Sequence, residues 1–210
     1  MQIKNNRGAF TLVELLIVIG IIGILSAITV LVISPSILDK VRVPTAASDQ
    51  RQLQGEAVLY RNDVGFYPPD VNRGWDPGFT RPFPWKPDTG DACATPDPTG
   101  CPAYSQQACS SGCPSDWINQ INQRWQGPYI VNWPQNTPWN GKYDYNNWPG
   151  GANRPENCTV PAGIYIGVQG DYSDPAQNTI PASAEQLMLD RGLDSDGCLN
   201  GESQMLLKKL

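Results

Sequence analysis

Between Phe10 and Leu38 the chain carries a single charged side chain, Glu14, and from Leu15 to Ile33 it is almost wholly apolar. As a helix that run extends about 29 Å, close to the hydrocarbon thickness of a bilayer. Residues 1–9 (MQIKNNRGA) are short and polar, with Lys4 and Arg7 as a positive flank. Such a flank predicts a leader in the cytoplasm and a C-terminal part outside. A cleavable secretory signal has a shorter apolar region followed by an A-x-A-like site, and Leu25-Ser26-Ala27 is a poor one. A plain signal anchor fits the length but leaves Glu14 unexplained. A carboxylate so near the start of a membrane helix costs a few kcal/mol to insert unless it is paired, so it points to function.

Beyond Ile33 the chain has a different chemistry. The 210 residues suffice for one ordinary domain beside the long helix, and the formal net charge of −5 gives no basic footprint for nucleic acid. With no histidine, His-containing triads and His-ligated metal sites are excluded, whereas carboxylate chemistry stays open. The six cysteines, Cys93, Cys101, Cys109, Cys113, Cys158 and Cys198, all lie in the polar C-terminal part. An even count beyond an export-type N-terminus predicts disulfides in an oxidising compartment. A zinc site built from Cys93, Cys101, Cys109 and Cys113 would lack the paired C-x-x-C knuckles of familiar zinc modules.

After Pro35, where a kink or local loosening is expected, the pattern predicts an amphipathic helix over 35–65. Leu53, Ala57, Tyr60 and Val64 recur with the rhythm of one buried helical face. Pro44 predicts a break in its early part, and Gly65 with Pro68-Pro69 predicts its end. Residues 70–116 show no helical or alternating pattern and read as an irregular surface loop, held by bridges within Cys93, Cys101, Cys109 and Cys113. A short helix is expected from Asp116 to Gln123 with Ser115 as N-cap. Gly127-Pro128 and Asn140-Gly141 are turn signals, and Lys142–Tyr145 and Gly163–Val168 read as antiparallel strands on the long helix. Asp194, Asp196 and the carbonyls around Gly197 form either a structural turn or an oxygen-rich calcium site.

Three stretches carry a family resemblance. GAFTLVELLIVIGIIGIL, starting at Gly8, resembles the prepilin peptidase segment of type IV pilins and type II secretion pseudopilins. Tyr60, Asp63, Gly65, Tyr67 and Pro68 are similar to the Y-x-x-D-x-G-x-Y-P exit of pseudopilin helices. Trp125, Gly127, Pro128, Tyr129, Ile130, Pro138, Trp139, Tyr143 and Tyr145 resemble the W-x-G-P-Y and P-W segment of the major pseudopilin, with Thr137 where the family favours aspartate and Asn140-Gly141 in swapped order. The resemblance implies an α+β fold: a long N-terminal helix, transmembrane and then amphipathic, packed on a small antiparallel sheet with disulfide-held loops. Residues 1–9 become the leader, 10–34 the filament-core helix and 66–210 the head.

By the same resemblance, cleavage falls between Ala9 and Phe10, Phe10 is N-methylated, and Glu14 stands at the fifth mature position. Ala9 replaces the family's usual glycine; a cut after Gly8 would move Glu14 to the sixth position. Glu14 would pair with the new amine of Phe10 on a neighbouring subunit. A Cys158–Cys198 bridge would match the C-terminal disulfide region of type IV pilins, and Asp194 and Asp196 the family's calcium loop, although the acidic pattern is not cleanly reproduced. Implied partners are further copies in a helical polymer, minor pilins or pseudopilins, prepilin peptidase and an inner-membrane assembly platform. The implied location is the cytoplasmic (inner) membrane, single-pass with the head outside, and then a periplasmic or cell-surface filament. Two rival readings remain. One is an adhesive subunit binding carbohydrate through Trp75, Trp85, Trp117, Trp133 and Trp148; the other is a membrane-anchored hydrolase using a carboxylate pair.

Overall fold

A computed structural model describes residues 11–32, 35–71, 73–83, 113–154, 158–171, 174 and 176–210, the side chains of 27–32, 35 and 36 excepted. The chain divides into two compact units, residues 1–39 and 40–210. Leu12–Val32 forms α1 and Pro35–Val64 forms α2. Pro35 stands at the first position of α2, where a missing N–H removes no intrahelical bond. Among the described residues no helix is long and apolar enough to cross a membrane. The described side chains of α1 end at Ser26, and Leu12 to Ser26 extends about 22 Å, short of a hydrocarbon core of about 30 Å. The expected span from Leu15 to Ile33 runs beyond that point.

The break expected at Pro44 does not occur: α2 runs through it. Pro44 cannot donate to the Lys40 carbonyl, but its neighbours Val43, Ala46 and Ala47 are buried and hold the turn by packing. The Thr45 hydroxyl donates to the Val41 carbonyl one turn back (3.0 Å), adding a local bond beside the lost one. Further along, Leu53, Ala57, Tyr60 and Val64 are all buried, as their spacing predicts. Burying a leucine or valine side chain stabilises by about 1.5–3 kcal/mol, so this stripe anchors the helix.

The stripe packs on a three-stranded antiparallel sheet. β1 (Lys142–Trp148), β4 (Gly163–Gln169) and β5 (Ser203–Lys209) lie in the order β1-β4-β5. Tyr143 and Tyr145 of β1 and Ile164, Ile166 and Val168 of β4 alternate onto the helix side and join its core cluster. Gln50 Nε2 donates to the Ile166 carbonyl (2.8 Å), which ties α2 to the central strand. A separate hairpin pairs β2 (Ala152–Arg154) with β3 (Cys158–Val160). α4 (Ala182–Asp190), which the sequence pattern did not announce, precedes β5.

Two local expectations change. The short helix, α3, spans Trp117–Arg124 and its N-cap position is Asp116, not Ser115, with no side-chain cap bond. Asp116 instead accepts from Gln120 Nε2 (2.8 Å), one turn into the helix. The stretch after residue 70 is also not all surface loop: Val71, Asp76, Phe79 and Phe83 are buried. Asp76 makes this feasible, its carboxylate accepting from the backbone N–H groups of Gly78 (3.1 Å), Phe79 (2.7 Å) and Thr80 (2.9 Å). Their backbone polarity being satisfied, Phe79 can insert among Tyr60, Trp133 and Tyr145.

The two helix-exit and GPY segments meet. Tyr129 Oη donates to Asp63 Oδ2 (3.0 Å), Trp125 Nε1 donates to the Gly78 carbonyl (2.8 Å), and Tyr143 Oη bonds Asp49. The swapped Asn140-Gly141 order also has a physical reason. Asn140 takes a positive φ of 69°, which asparagine tolerates, and a Cβ on Gly141 would lie 2.1 Å from the Gln169 carbonyl oxygen. Thr137 serves the same turn, its hydroxyl accepting from the Gly141 N–H (3.1 Å).

Candidate functional site

The N-terminal helix opens on a reciprocal cap. Glu14 Oε2 accepts from both the Thr11 backbone N–H and the Thr11 hydroxyl (2.9 Å each), while Thr11 Oγ1 accepts from the Glu14 N–H (3.3 Å). This is a T-x-x-E capping box, legible in Thr11-Leu12-Val13-Glu14 but hidden behind the more conspicuous question of a carboxylate in an apolar run. Both incoming bonds fall on Oε2. Around this cap the apolar side chains from Leu12 to Leu25 are 48–76% exposed. Of the expected processing residues, Ala9 and Phe10 lie outside the described residues; Glu14 lies within them.

The second candidate region is the C-terminal loop. Cys158 of β3 and Cys198 of the loop before β5 form a disulfide, the pairing that the resemblance implied. Cys113 is disulfide-bonded too, which removes its thiolate from any four-cysteine zinc set, and Cys93, Cys101 and Cys109 lie outside the described residues. Asp194 Oδ1 accepts from the Gln204 N–H (2.9 Å), and Asp196 Oδ1 from the Cys198 N–H (2.8 Å). The other oxygen of each carboxylate, Oδ2, is buried with no hydrogen-bond partner. Burial and the adjacent Asp196 carboxylate push the Asp194 carboxyl up to about 8, and burial raises Asp196 as well. Two inward-facing carboxylate oxygens suit a hard cation, as calcium requires. Asp196 also lies near both sulfurs, but as a disulfide these offer no thiolate for a soft metal.

Four side chains that sequence reasoning did not single out hold this loop. Glu185 of α4 accepts from the backbone N–H groups of Asn200 (2.7 Å) and Gly201 (3.0 Å). Glu202 accepts from Arg73 Nη2 (2.9 Å) and Arg154 Nε (2.9 Å) on two different elements, with Arg154 also over the Trp148 ring. These residues are far apart in sequence, and only an unusually buried ion cluster makes them visible.

Two further carboxylates bear on the hydrolase reading. Asp144 is buried and Asp70 half-buried; desolvation holds Asp144 well above the usual carboxylate range and pushes Asp70 up to about 7. The Asp70 charge adds to the rise at Asp144, with Arg73 and Arg154 opposing it there, and Arg154 opposes the rise at Asp70. Among the described residues, neither lines the head's cavities of about 190 Å³, 210 Å³ or 330 Å³, so the pair faces none of these hollows as a site for a substrate bond. Of the tryptophans proposed for sugar, Trp133 is buried, Trp75, Trp117 and Trp148 are half-buried, and Trp85 lies outside the described residues. Trp75 and Trp133 share the larger cavity with Asp76, Arg81, Asn132 and Gln135.

Residues 4–30 match the family described as the prokaryotic N-terminal methylation motif. That motif is the signature of prepilin peptidase substrates of the type IV pilin and pseudopilin kind, and it supports a subunit of that kind here. No curated protein and no solved structure matches the chain.

Proposed function

We propose that this chain is a structural subunit of a type IV pilus-like or type II secretion pseudopilus filament. It is cut by prepilin peptidase between Ala9 and Phe10, methylated at Phe10 and polymerised through its N-terminal helix. One observation carries the reading: the methylation motif of residues 4–30 leads into a helix whose apolar side chains are about half or more exposed, with one carboxylate among them. Apolar area in water costs roughly 25 cal/mol per Å², so such a helix is driven to find cover. Lipid supplies it while the subunit is a single-pass protein of the inner membrane; neighbouring helices supply it in the filament.

Glu14 fits the second environment. Thr11 occupies Oε2, and Oε1 faces no partner among the described residues. A free α-amino group has a reference pKa of about 8 and is charged at neutral pH. The Phe10 amine of an adjoining copy, bonded to Oε1, would neutralise a carboxylate that is costly to bury alone and would fix axial register. The head stays outside as the filament's surface and no residue takes a catalytic role. Minor subunits, the peptidase and an assembly platform are the further partners. Asp194 and Asp196 would hold a calcium ion through their Oδ2 atoms, and the ion would stiffen the C-terminal loop.

The test is Glu14→Leu in cells, scored by electron microscopy and by mass spectrometry of the mature N-terminus. Filament yield should fall by an order of magnitude or more while a methylated Phe10 terminus persists. Filaments of parental yield and pitch would sink the proposal.

A second reading, an adhesive subunit binding carbohydrate, is favoured by the cavity of about 330 Å³ walled by Trp75 and Trp133. Aromatic faces with a few polar groups suit a small polar ligand. Trp133 is almost wholly buried and Asp76 is taken up by its own turn, so Trp75 carries this reading. Oligosaccharide titration of tryptophan fluorescence, with and without Trp75→Ala, checks it; identical titrations of parent and variant would remove it.

A further inference from the structure

A cavity of about 190 Å³ opens where α2, β1 and β5 converge. Arg61 reaches it from the last turn of α2, Lys208 from β5, and Asn147 from β1. Both cations lie over the same ring, Arg61 Cζ at 5.3 Å and Lys208 Nζ at 5.7 Å from the Tyr67 centroid. No acidic side chain lines the cavity, and among the described residues no carboxylate, side-chain or terminal, comes within ion-pairing distance of either cation. Among the other cations of the head, Arg73 and Arg154 are engaged by Glu202, Lys142 by Asn136, and Arg124 by the Val64 carbonyl, whereas Arg51, Arg191 and Lys209 stand exposed.

Two like charges gathered on one ring repel, and within about a Debye length water and salt only partly relieve them. The ring quadrupole attracts each cation but does not neutralise it. A carboxylate does, and the guanidinium of Arg61 offers it paired donors while Lys208 adds a point charge. The supports are ordered, since Arg61 sits on a helix, Lys208 and Asn147 on paired strands, and Tyr67 follows Gly65 with its fixed positive φ of 99°. We propose that this cavity is a carboxylate-binding site, and that its occupant is an aspartate or glutamate side chain of a second copy of this chain.

Charge complementarity selects that occupant. The chain has a net charge of −5, so another copy offers acids in excess, among them the exposed Asp116, Asp174 and Asp190. The proposal rests on the filament reading only for the reason that two copies meet. Docking an acid here would join heads laterally, apart from the contact made by the N-terminal helix.

Zero-length carbodiimide coupling tests this directly. Equal amounts of ¹⁵N-labelled and unlabelled full-length chain are mixed, allowed to associate in detergent or as filaments, coupled and digested. Lys208 Nζ forms an amide with the carbon of the bound carboxylate, and the carbodiimide takes up the water lost. The expected product is a mixed-isotope peptide pair joining Lys208 to an Asp or Glu. Lys208→Arg keeps the charge but removes the amine, so the product disappears while association persists. Arg61→Glu, and more mildly Arg61→Gln, should lower its yield on the order of tenfold. Three outcomes overturn the proposal: other lysines couple across copies and Lys208 does not; Lys208 couples only within its own copy; or the Arg61 variants leave the yield unchanged. Electron microscopy of the same samples reads the filament separately. Filaments without the Lys208 product leave that reading standing and this one lost, and the product without filaments does the reverse.

Discussion

Replacing Glu202 by glutamine keeps the side chain's shape and removes the one charge that joins Arg73 to Arg154. The Glu202 side chain is 4% exposed, and those of Arg73 and Arg154 are 14% and 19% exposed. Breaking a buried ion pair from one side costs about 3–5 kcal/mol, because the partner charge stays buried and unpaired. Here the guanidiniums are partly exposed and retain some water, so the expected loss is about 2–3 kcal/mol. For a chain of this size that lowers Tm by roughly 4–12 °C. The assay is urea and thermal unfolding of the full chain in detergent micelles, followed by tryptophan fluorescence at pH 7 in moderate salt. A companion variant, Glu202→Leu with Arg73→Met and Arg154→Met, removes all three charges and should recover most of the loss. A Glu202→Gln variant within about 0.5 kcal/mol of the parent would refute the reasoning, since surface pairs behave that way. So would an effect that vanishes in high salt.

The raised carboxyls set a pH dependence of definite sign. In the unfolded chain aspartates ionise near pH 4, whereas folded Asp70 and Asp194 keep their protons to about pH 7 and about pH 8. The unfolded state therefore binds fewer protons in that window, and head stability falls as pH rises from about 4 to about 8. Thermal melts in a chelator should show this. Calcium should abolish the part of the decline due to Asp194, and a Tm that climbs from pH 5 to pH 8 in chelator would contradict the assignment. Pro44→Ala should raise stability by roughly 1–2 kcal/mol, because an exposed alanine restores an N–H to the Lys40 carbonyl and loses no buried contact. A destabilised variant in equilibrium melts would show that Pro44 does more than interrupt the ladder.

Periodicity and local chemistry settled much of this protein in advance. The spacing of Leu53, Ala57, Tyr60 and Val64 set the buried face of α2, and alternation placed Tyr143 and Tyr145 with Ile164 and Ile166 in paired strands. The motif of residues 4–30, which runs into α1 and has its one acid at Glu14, named the class of peptidase substrate independently of any tertiary contact. All of these signals are carried by residues within a few turns or one strand of each other, where side-chain direction follows directly from backbone repeat.

Tertiary structure decided what depends on distant partners. Pro44 stays helical because Val43, Ala46 and Ala47 pack against residues far along the chain. The stretch around Phe79 is core because Asp76 satisfies its backbone and Tyr60, Trp133 and Tyr145 surround it. The Glu202 cluster and Lys208 over the Tyr67 ring each join segments separated by 40 residues or more. No local pattern encodes such pairings, since their free energy comes from desolvation and charge that exist only once the segments have met.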